Sequence, residues 1–207
     1  MMPAQSLVRD PFSIVITGVG GQGNVLASRL LGTMLAEKGF FVTIGETFGA
    51  SQRGGSVMSH VRVSRERVSS PQIPRGRADV IVSLEPVEAL RVLADYGNPD
   101  VVLLTNTRPI YPVGVIRGEL EYPPPDTLRE AVLRILPGAR FIDGTEKALA
   151  LGNPILTNIV MLGALHGLGI LPFDRRDFER ALGARVAAEH LAVNLAAFDE
   201  GCRAMAT

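Results

Sequence analysis

The 207-residue chain is long enough for a large α/β domain, and a hydrophobic content of 46% supports a full core and excludes a disordered chain. Its formal net charge is zero, so the chain as a whole lacks the excess of positive charge that is typical of nucleic-acid-binding proteins. One cysteine excludes an internal disulfide, and one thiol alone holds neither zinc nor an iron–sulfur cluster. No apolar run is long enough to span a membrane and no leader is evident, so we expect a cytoplasmic protein.

The first 44 residues read as the opening of a doubly wound sheet. Residues 12–17 form a short β-branched run that ends at glycine, which predicts a buried strand. Apolar residues then recur at helical spacing over 22–38, and the next strand is expected at 40–44. Strand, glycine loop, helix and strand in this order are typical of Rossmann-like folds.

Residues 56–64 depart from that pattern, because apolar and polar residues alternate there. The alternation predicts a half-exposed antiparallel strand at a sheet edge, where an ordinary dinucleotide-binding unit has a helix. Two buried strands are predicted at 79–84 and 100–104, with a helix that begins at Pro86 between them.

The region 105–125 contains five prolines, which indicates an extended excursion, and we expect a small hairpin at 113–120. A helix at 126–136 and a short strand at 139–142 follow, and from residue 145 onward the chain is predicted to be helical. The expected fold is therefore α/β, with a Rossmann-like, mostly parallel sheet, an antiparallel edge strand and a helical C-terminal third. We expect a single domain over 1–207.

The first glycine motif follows the first strand and fits the spacing G-x-G-x-x-G. Glycines there allow a tight turn and let a phosphate approach the amides at a helix start. Two side-chain amides in the motif supply hydrogen bonds to an oxygen-rich ligand or cap the helix. The alternative is that the glycines only allow close packing of strand and helix. The candidate residues are Gly18, Gly20, Gly21, Gln22, Gly23 and Asn24.

The second motif, residues 45–55, combines bending glycines with hydrogen-bonding side chains. Its Arg53 favours an anion or a partner carboxylate, with a salt bridge to Glu46 as the alternative. Because each motif follows a strand, both are expected at the same edge of the sheet. The candidate residues of this loop are Ser51, Gln52, Arg53, Gly54 and Gly55.

Glu46 lies 23 residues after Gly23, at the end of the second predicted strand. In a nicotinamide site an acidic residue there binds ribose hydroxyls. A stand-alone NAD(P)-binding oxidoreductase is therefore one hypothesis. However, we find no nucleophile–base pair in the sequence, and the catalytic residues stay unassigned.

Taken together, these segments resemble the gamma-type subunit of 2-oxoacid:ferredoxin oxidoreductases, most closely the beta subunit of the indolepyruvate type. The resemblance covers residues 12–195. It rests on both glycine motifs, on Ser70-Pro71 before Ala78-Asp79, and on Asn158 followed by Met161-Leu-Gly-Ala-Leu165. The combination is specific, above all the run Ser-Gln-Arg-Gly-Gly.

The resemblance implies one subunit of an enzyme complex that decarboxylates 2-oxoacids oxidatively to acyl-coenzyme A. It implies that thiamine diphosphate and iron–sulfur clusters are held by a partner subunit, which reduces ferredoxin, and that the isolated chain is inactive. Coenzyme A is the one cofactor that the gamma-type subunit is associated with, so it is a possible ligand of the two motifs. Two readings stay open beside this one: a non-catalytic assembly scaffold, and a homodimer when the chain is isolated.

Overall fold

The computed structural model describes residues 7–49 and 55–206. In this part of the chain six strands form one sheet in the order β2-β3-β1-β4-β5-β6. The strands are β1 (Phe12–Val19), β2 (Phe41–Phe48), β3 (Ser56–Ser64), β4 (Val80–Ser83), β5 (Val102–Asn106) and β6 (Arg140–Ile142).

Strand β3 alone runs against the rest of the sheet. It pairs antiparallel with both β1 and β2, whereas β1, β4, β5 and β6 pair in parallel. Strand β2 therefore runs in the same direction as β1, and the carboxyl ends of these five strands meet at one edge. The predicted α/β fold with a mostly parallel sheet and one antiparallel strand is confirmed.

The position of that antiparallel strand differs from the prediction. Strand β3 lies between β1 and β2, and β2 forms the edge of the sheet. The alternating pattern predicted an edge strand with one face in solvent. In the structure the polar face of β3 is covered by the chain segment that follows the strand. His60 Nδ1 accepts the Ile73 N–H at 3.4 Å, and the Arg62 guanidinium donates to the Ser70 carbonyl at 3.1 Å. Covered polar residues look the same in sequence as exposed ones.

The predicted helical C-terminal third is confirmed, whereas the hairpin predicted at 113–120 is wrong. A short helix lies there instead, because the Gly114 carbonyl accepts the N–H groups of Glu119 and Leu120 and closes the turn.

A 3₁₀ turn at Pro154–Leu156 precedes α6. The helices are α1 (Asn24–Glu37), α2 (Pro86–Tyr96), α3 (Val113–Ile116), α4 (Pro125–Ile135), α5 (Gly144–Ala150), α6 (Thr157–Gly167), α7 (Arg175–Gly183) and α8 (Ala188–Arg203).

The sheet separates two apolar clusters. Ile14 and Ile16 on β1 pack in the larger cluster with residues of α1, α6, α7 and α8, whereas Val15 points into the smaller cluster with residues of α2 and α4. Helix α1 follows β1 on one face and α2 follows β4 on the other. The crevice outside the carboxyl ends of β1 and β4 is therefore a topological switch point, where open α/β sheets bind their ligands.

None of the helices in the described residues combines the length and the apolar character that crossing a bilayer requires.

Candidate functional site

The two glycine motifs meet at the carboxyl edge of the sheet. The Gly20 N–H donates to the Gly55 carbonyl at 2.8 Å, and Val19 lies opposite Ser56 in the β1–β3 register. The Gly49 N–H donates to the Ser56 carbonyl at 2.9 Å and holds the base of the β2–β3 hairpin. We call this region the glycine edge: residues 18–24 together with Gly49, Gly55 and Ser56 at the adjoining end of the β2–β3 hairpin. Four candidate residues of the second motif, Ser51, Gln52, Arg53 and Gly54, lie outside the described residues.

Gln22 closes the switch-point crevice with its own side chain. Its Oε1 accepts the Val19 N–H at 2.7 Å, and its Nε2 donates to the Leu84 carbonyl at 2.8 Å. A Cβ atom on Gly18 would lie 2.6 Å from that Oε1, so the Gln22 side chain would have to leave this position to admit one. The side-chain amide that the sequence offers to a ligand is thus used to join the ends of β1 and β4.

Helix α1 begins at the glycine edge without a capping side chain. Gly23 has a left-handed φ of 84°, and its carbonyl accepts the Asn158 side-chain amide at 3.2 Å. Asn24 is 3% exposed; its Nδ2 lies 3.5 Å from the Val19 carbonyl, and its Oδ1 has no partner in the described structure. The first turn of α1 carries no acidic residue. Its N–H groups and the positive end of the helix dipole are therefore suited to an anion.

Glu46 is not near the first motif. It lies on the edge strand β2, and its carboxylate is 3.4 Å from the Arg29 guanidinium. Because β3 separates β2 from β1, Glu46 is two strand spacings, about 10 Å, away from β1. An acidic residue that binds a nucleotide ribose lies on the strand directly beside β1, so this topology disfavours that role.

The sequence reasoning missed a buried glutamate at the end of β4. Glu85 is 2% exposed and caps α2, because its Oε2 accepts the Glu88 N–H at 2.9 Å. Its Oε1 accepts the Tyr122 hydroxyl and, at 3.4 Å, the Ile110 N–H. The available signal was Pro86, because proline is common at the first position of a helix and the residue before it, here Glu85, is then the N-cap.

Glu88, one turn further along α2, connects this cap to the glycine edge. The Ser56 hydroxyl donates to its Oε2 at 2.6 Å, and the Arg91 guanidinium lies 3.3 Å from its Oε1. Burial raises the pKa of Glu88, and the hydrogen bond from Ser56 only partly offsets that effect. Burial, together with the hydrogen bond to Glu85, also raises the pKa of Tyr122. Ser56, Glu88, Glu85 and Tyr122 therefore form a continuous polar connection from the hairpin to the proline-rich excursion.

The lone thiol does not fit the role of a cluster ligand. Cys202 on α8 donates to the Gly163 carbonyl of α6 at 3.3 Å, and burial raises its pKa to about 11. Iron–sulfur clusters need several thiolates, and this sulfur is used in helix packing. Over the described ranges no three His, Cys, Asp or Glu side chains gather in a way that could hold a metal ion.

The family model for pyruvate ferredoxin/flavodoxin oxidoreductase matches residues 13–204. The chain belongs to this family. The resemblance drawn from the glycine motifs is thereby confirmed. The indolepyruvate oxidoreductase subunit IorB of Thermococcus kodakarensis is 40% identical over 195 residues, 93% of this chain and 95% of that protein. IorB of Pyrococcus horikoshii is also 40% identical, over 194 residues with the same coverage.

Two solved structures share this fold. The pyruvate oxidoreductase subunit PORC of Thermotoga maritima matches with a TM-score of 0.70 and 23% identity, over 93% of this chain and 96% of that one. The 2-oxoglutarate:ferredoxin oxidoreductase of Magnetococcus marinus matches with a TM-score of 0.72 and 24% identity. That match covers 94% of this chain but 31% of the other. The matched fold therefore makes up nearly the whole PORC chain, but only about a third of the much longer Magnetococcus marinus chain.

Proposed function

We propose that this chain is the small, gamma-type subunit of an indolepyruvate-type 2-oxoacid:ferredoxin oxidoreductase. The observation that carries the proposal is the 40% identity to two IorB subunits over 93% of the chain. The complex would decarboxylate aryl 2-oxoacids oxidatively, with coenzyme A as acyl acceptor and ferredoxin as electron acceptor.

The chemistry would depend on a partner subunit that holds thiamine diphosphate and the iron–sulfur clusters. The polar groups at the carboxyl edge support this division, because they are already engaged within the chain. Gln22 joins two strands, while Glu85 and Glu88 accept hydrogen bonds from this chain's own groups. Cys202 is used in the packing of α6 against α8. We expect the complex in the cytoplasm and the chain to form one folding domain.

The glycine edge would bind the anionic part of coenzyme A, which supplies the thiol that accepts the acyl group. The uncapped N–H groups at the start of α1, together with the amides of Gly21 and Gly23, are the groups suited to a phosphate. Arg53, which lies two residues before Gly55 in the sequence, would add a guanidinium. In the alternative function, a scaffold, the same loops would contact the partner polypeptide.

Reconstitution tests the proposed complex. The chain is co-expressed with a thiamine-binding, cysteine-rich partner subunit, and reduction of a viologen dye is followed with indolepyruvate, pyruvate or 2-oxoglutarate. We expect co-purification and a rate that needs both subunits and coenzyme A and is highest with indolepyruvate. An isolated chain with full activity, or failure to associate with such a partner, would contradict the proposal.

Arg53→Ala distinguishes a coenzyme A site from a scaffold. If Arg53 binds the coenzyme, the complex still assembles and the KM for coenzyme A rises about tenfold or more, because a charge-assisted hydrogen bond is lost. If the loop is a scaffold contact, assembly itself is lost. Arg67→Ala is the control, since Arg67 is an exposed arginine outside the glycine edge.

The remaining alternatives have simple tests. A stand-alone nicotinamide enzyme would show a rise in melting temperature with millimolar NAD or NADP; we expect none, because Glu46 is paired with Arg29 and distant from β1. Light scattering on the purified chain decides whether it forms a homodimer in the absence of its partner.

A further inference from the structure

A small cavity lies outside the glycine edge, between helix α4 and the part of the proline-rich excursion that connects β5 to α4 (residues 107–124). Its volume is about 150 Å³. The buried residues Thr105, Leu128 and Val132 contribute to its lining, and so do the aromatic residues Tyr122 and Phe141. It is thus at the carboxyl end of β5, on the same edge of the sheet as the glycine edge but away from the switch point between β1 and β4.

The size and the lining of the cavity fit one aromatic ring. An apolar cavity of roughly 150 Å³ in another protein holds benzene. Here two aromatic side chains offer faces or edges to a third ring, an arrangement that adds to the free energy of burying its surface. Tyr122 is fixed in this position, because its hydroxyl donates to Glu85 and its ring packs edge-on against Tyr111 at 5.1 Å.

Arg129 supplies a positive charge at the rim of the cavity. Its guanidinium lies 4.4 Å from the centre of the Phe141 ring, which orients it. It makes no ion pair with any side chain in 7–49 or 55–206. Asp126 also lines the cavity, one turn earlier on α4, but does not pair with Arg129. An oriented guanidinium without a carboxylate partner is suited to a carboxylate ligand.

We infer that this cavity binds a small aromatic carboxylate with a single ring. The ring enters between Tyr122 and Phe141, and the carboxylate is bound by Arg129. Asp126 at the same rim disfavours a second negative charge, so the ligand is a monoanion. The inference concerns a site separate from the glycine edge and does not depend on the proposed function.

Titration with phenylacetate tests this inference on the purified full chain carrying labelled Leu and Val methyl groups. We expect saturable chemical-shift changes at the methyls of Leu128 and Val132. Arg129→Gln should weaken phenylacetate binding about 10- to 100-fold, because a charge-assisted hydrogen bond to the carboxylate is lost. Arg134→Gln is the matched control: it lies on the same helix, 81% exposed, outside the cavity, and should leave binding unchanged.

Toluene, which has the ring but no carboxylate, separates the two parts of the site. We expect it to bind the unchanged chain and Arg129→Gln equally, and more weakly than phenylacetate binds the unchanged chain. This comparison needs only the unchanged chain if the variant fails to fold in a circular dichroism check.

Three results would overturn the inference. The first is no saturable change at Leu128 and Val132 with millimolar phenylacetate. The second is equal affinity for toluene and phenylacetate, or an equal loss of binding in the two arginine variants. The third is displacement of phenylacetate by the partner subunit together with loss of assembly in Arg129→Gln, which would assign the cavity to an aromatic side chain of the partner.

Discussion

Gly23 determines how closely helix α1 approaches helix α6. Its φ of 84° is one that side chains rarely adopt, and a Cβ there would lie 2.1 Å from the Asn158 amide nitrogen. Glycine is therefore needed for both backbone conformation and space. The G-x-G-x-x-G pattern suggests phosphate binding as the reason for this residue, whereas the structure gives a packing reason that holds whether or not a ligand binds.

Gly23→Ala should lower the free energy of unfolding by about 1–3 kcal/mol, from the strained φ and the displaced Asn158. Urea denaturation measures it. Gly138→Ala is the control, because Gly138 is exposed, has no atom within 4 Å of an added Cβ and has no positive φ. We expect that change to stay within about 0.5 kcal/mol. Equal stability of both variants would show that the close approach to Asn158 does not exist.

Glu88 gives the chain a defined pH dependence. Burial raises the pKa of its carboxyl above the ordinary value of 4.5, so the folded state favours the protonated form. Its ionisation therefore destabilises the fold as the pH rises from about 4.5 through the raised native pKa, and adds nothing further above it.

Glu88→Gln removes this ionisation and keeps an oxygen that accepts the Ser56 hydroxyl. The stability of the variant relative to the unchanged chain should be lowest in acid and should rise across the same pH interval. Denaturation at several pH values measures the difference, with the same change at exposed Glu121 as control. A relative stability that falls as the pH rises would mean that Arg91 and Ser56 outweigh the effect of burial.

Among the elements, α6 and α8 are in closest contact. A Cβ on Gly201 would lie 1.9 Å from the Val160 carbonyl oxygen, and one on Gly163 would lie 2.0 Å from the Phe198 carbonyl oxygen. The two helices therefore pack backbone to backbone, each through a glycine. Such close approach leaves no room for even one added methyl group.

Gly201→Ala should cost at least about 2 kcal/mol of stability, because α8 must move away from α6 along its packed length. Thermal and urea unfolding check this. Gly183→Ala, at the exposed end of α7 with no atom within 4 Å, should be almost neutral. A mild effect at Gly201 would mean that the helices lie further apart.

The sequence predicts most of the helices and strands here, because their periodicity and end signals are local. It does not predict that β3 lies inside the sheet, because that depends on pairing with β1, about 40 residues away. It does not predict that 113–116 is helical either, because the prolines and glycines around this segment fit a hairpin turn as well as a single helical turn. The same holds for the candidate site. The meeting of the two glycine motifs follows from strand direction, but the use of Gln22 to close the crevice depends on the Leu84 carbonyl, 62 residues away.

For the molecule as a whole, the single cysteine is a reporter of global unfolding. Burial raises the pKa of the Cys202 thiol to about 11 from an ordinary value of 9.0. At pH 8 the native chain should therefore contain about a hundredfold less thiolate than the unfolded chain, and thiolate is the reactive form.

Labelling with a chromogenic disulfide reagent should accordingly be about a hundredfold slower in native buffer than in denaturing urea. Because only one thiol is present, the time course should be a single exponential in both conditions. A native rate within a few-fold of the denatured one would show that α8 separates from α6 without global unfolding.

The two hydrogen bonds of the Gln22 side chain join the ends of β1 and β4, which belong to the two oppositely wound halves of the sheet. They do so at the crevice where open α/β sheets bind their ligands. We therefore expect the two halves to move as one rigid body when a ligand binds, without a hinge closure between them. A molecule that settles on this rim meets a preformed shape, and its affinity is not reduced by the free-energy cost of closing the protein around it.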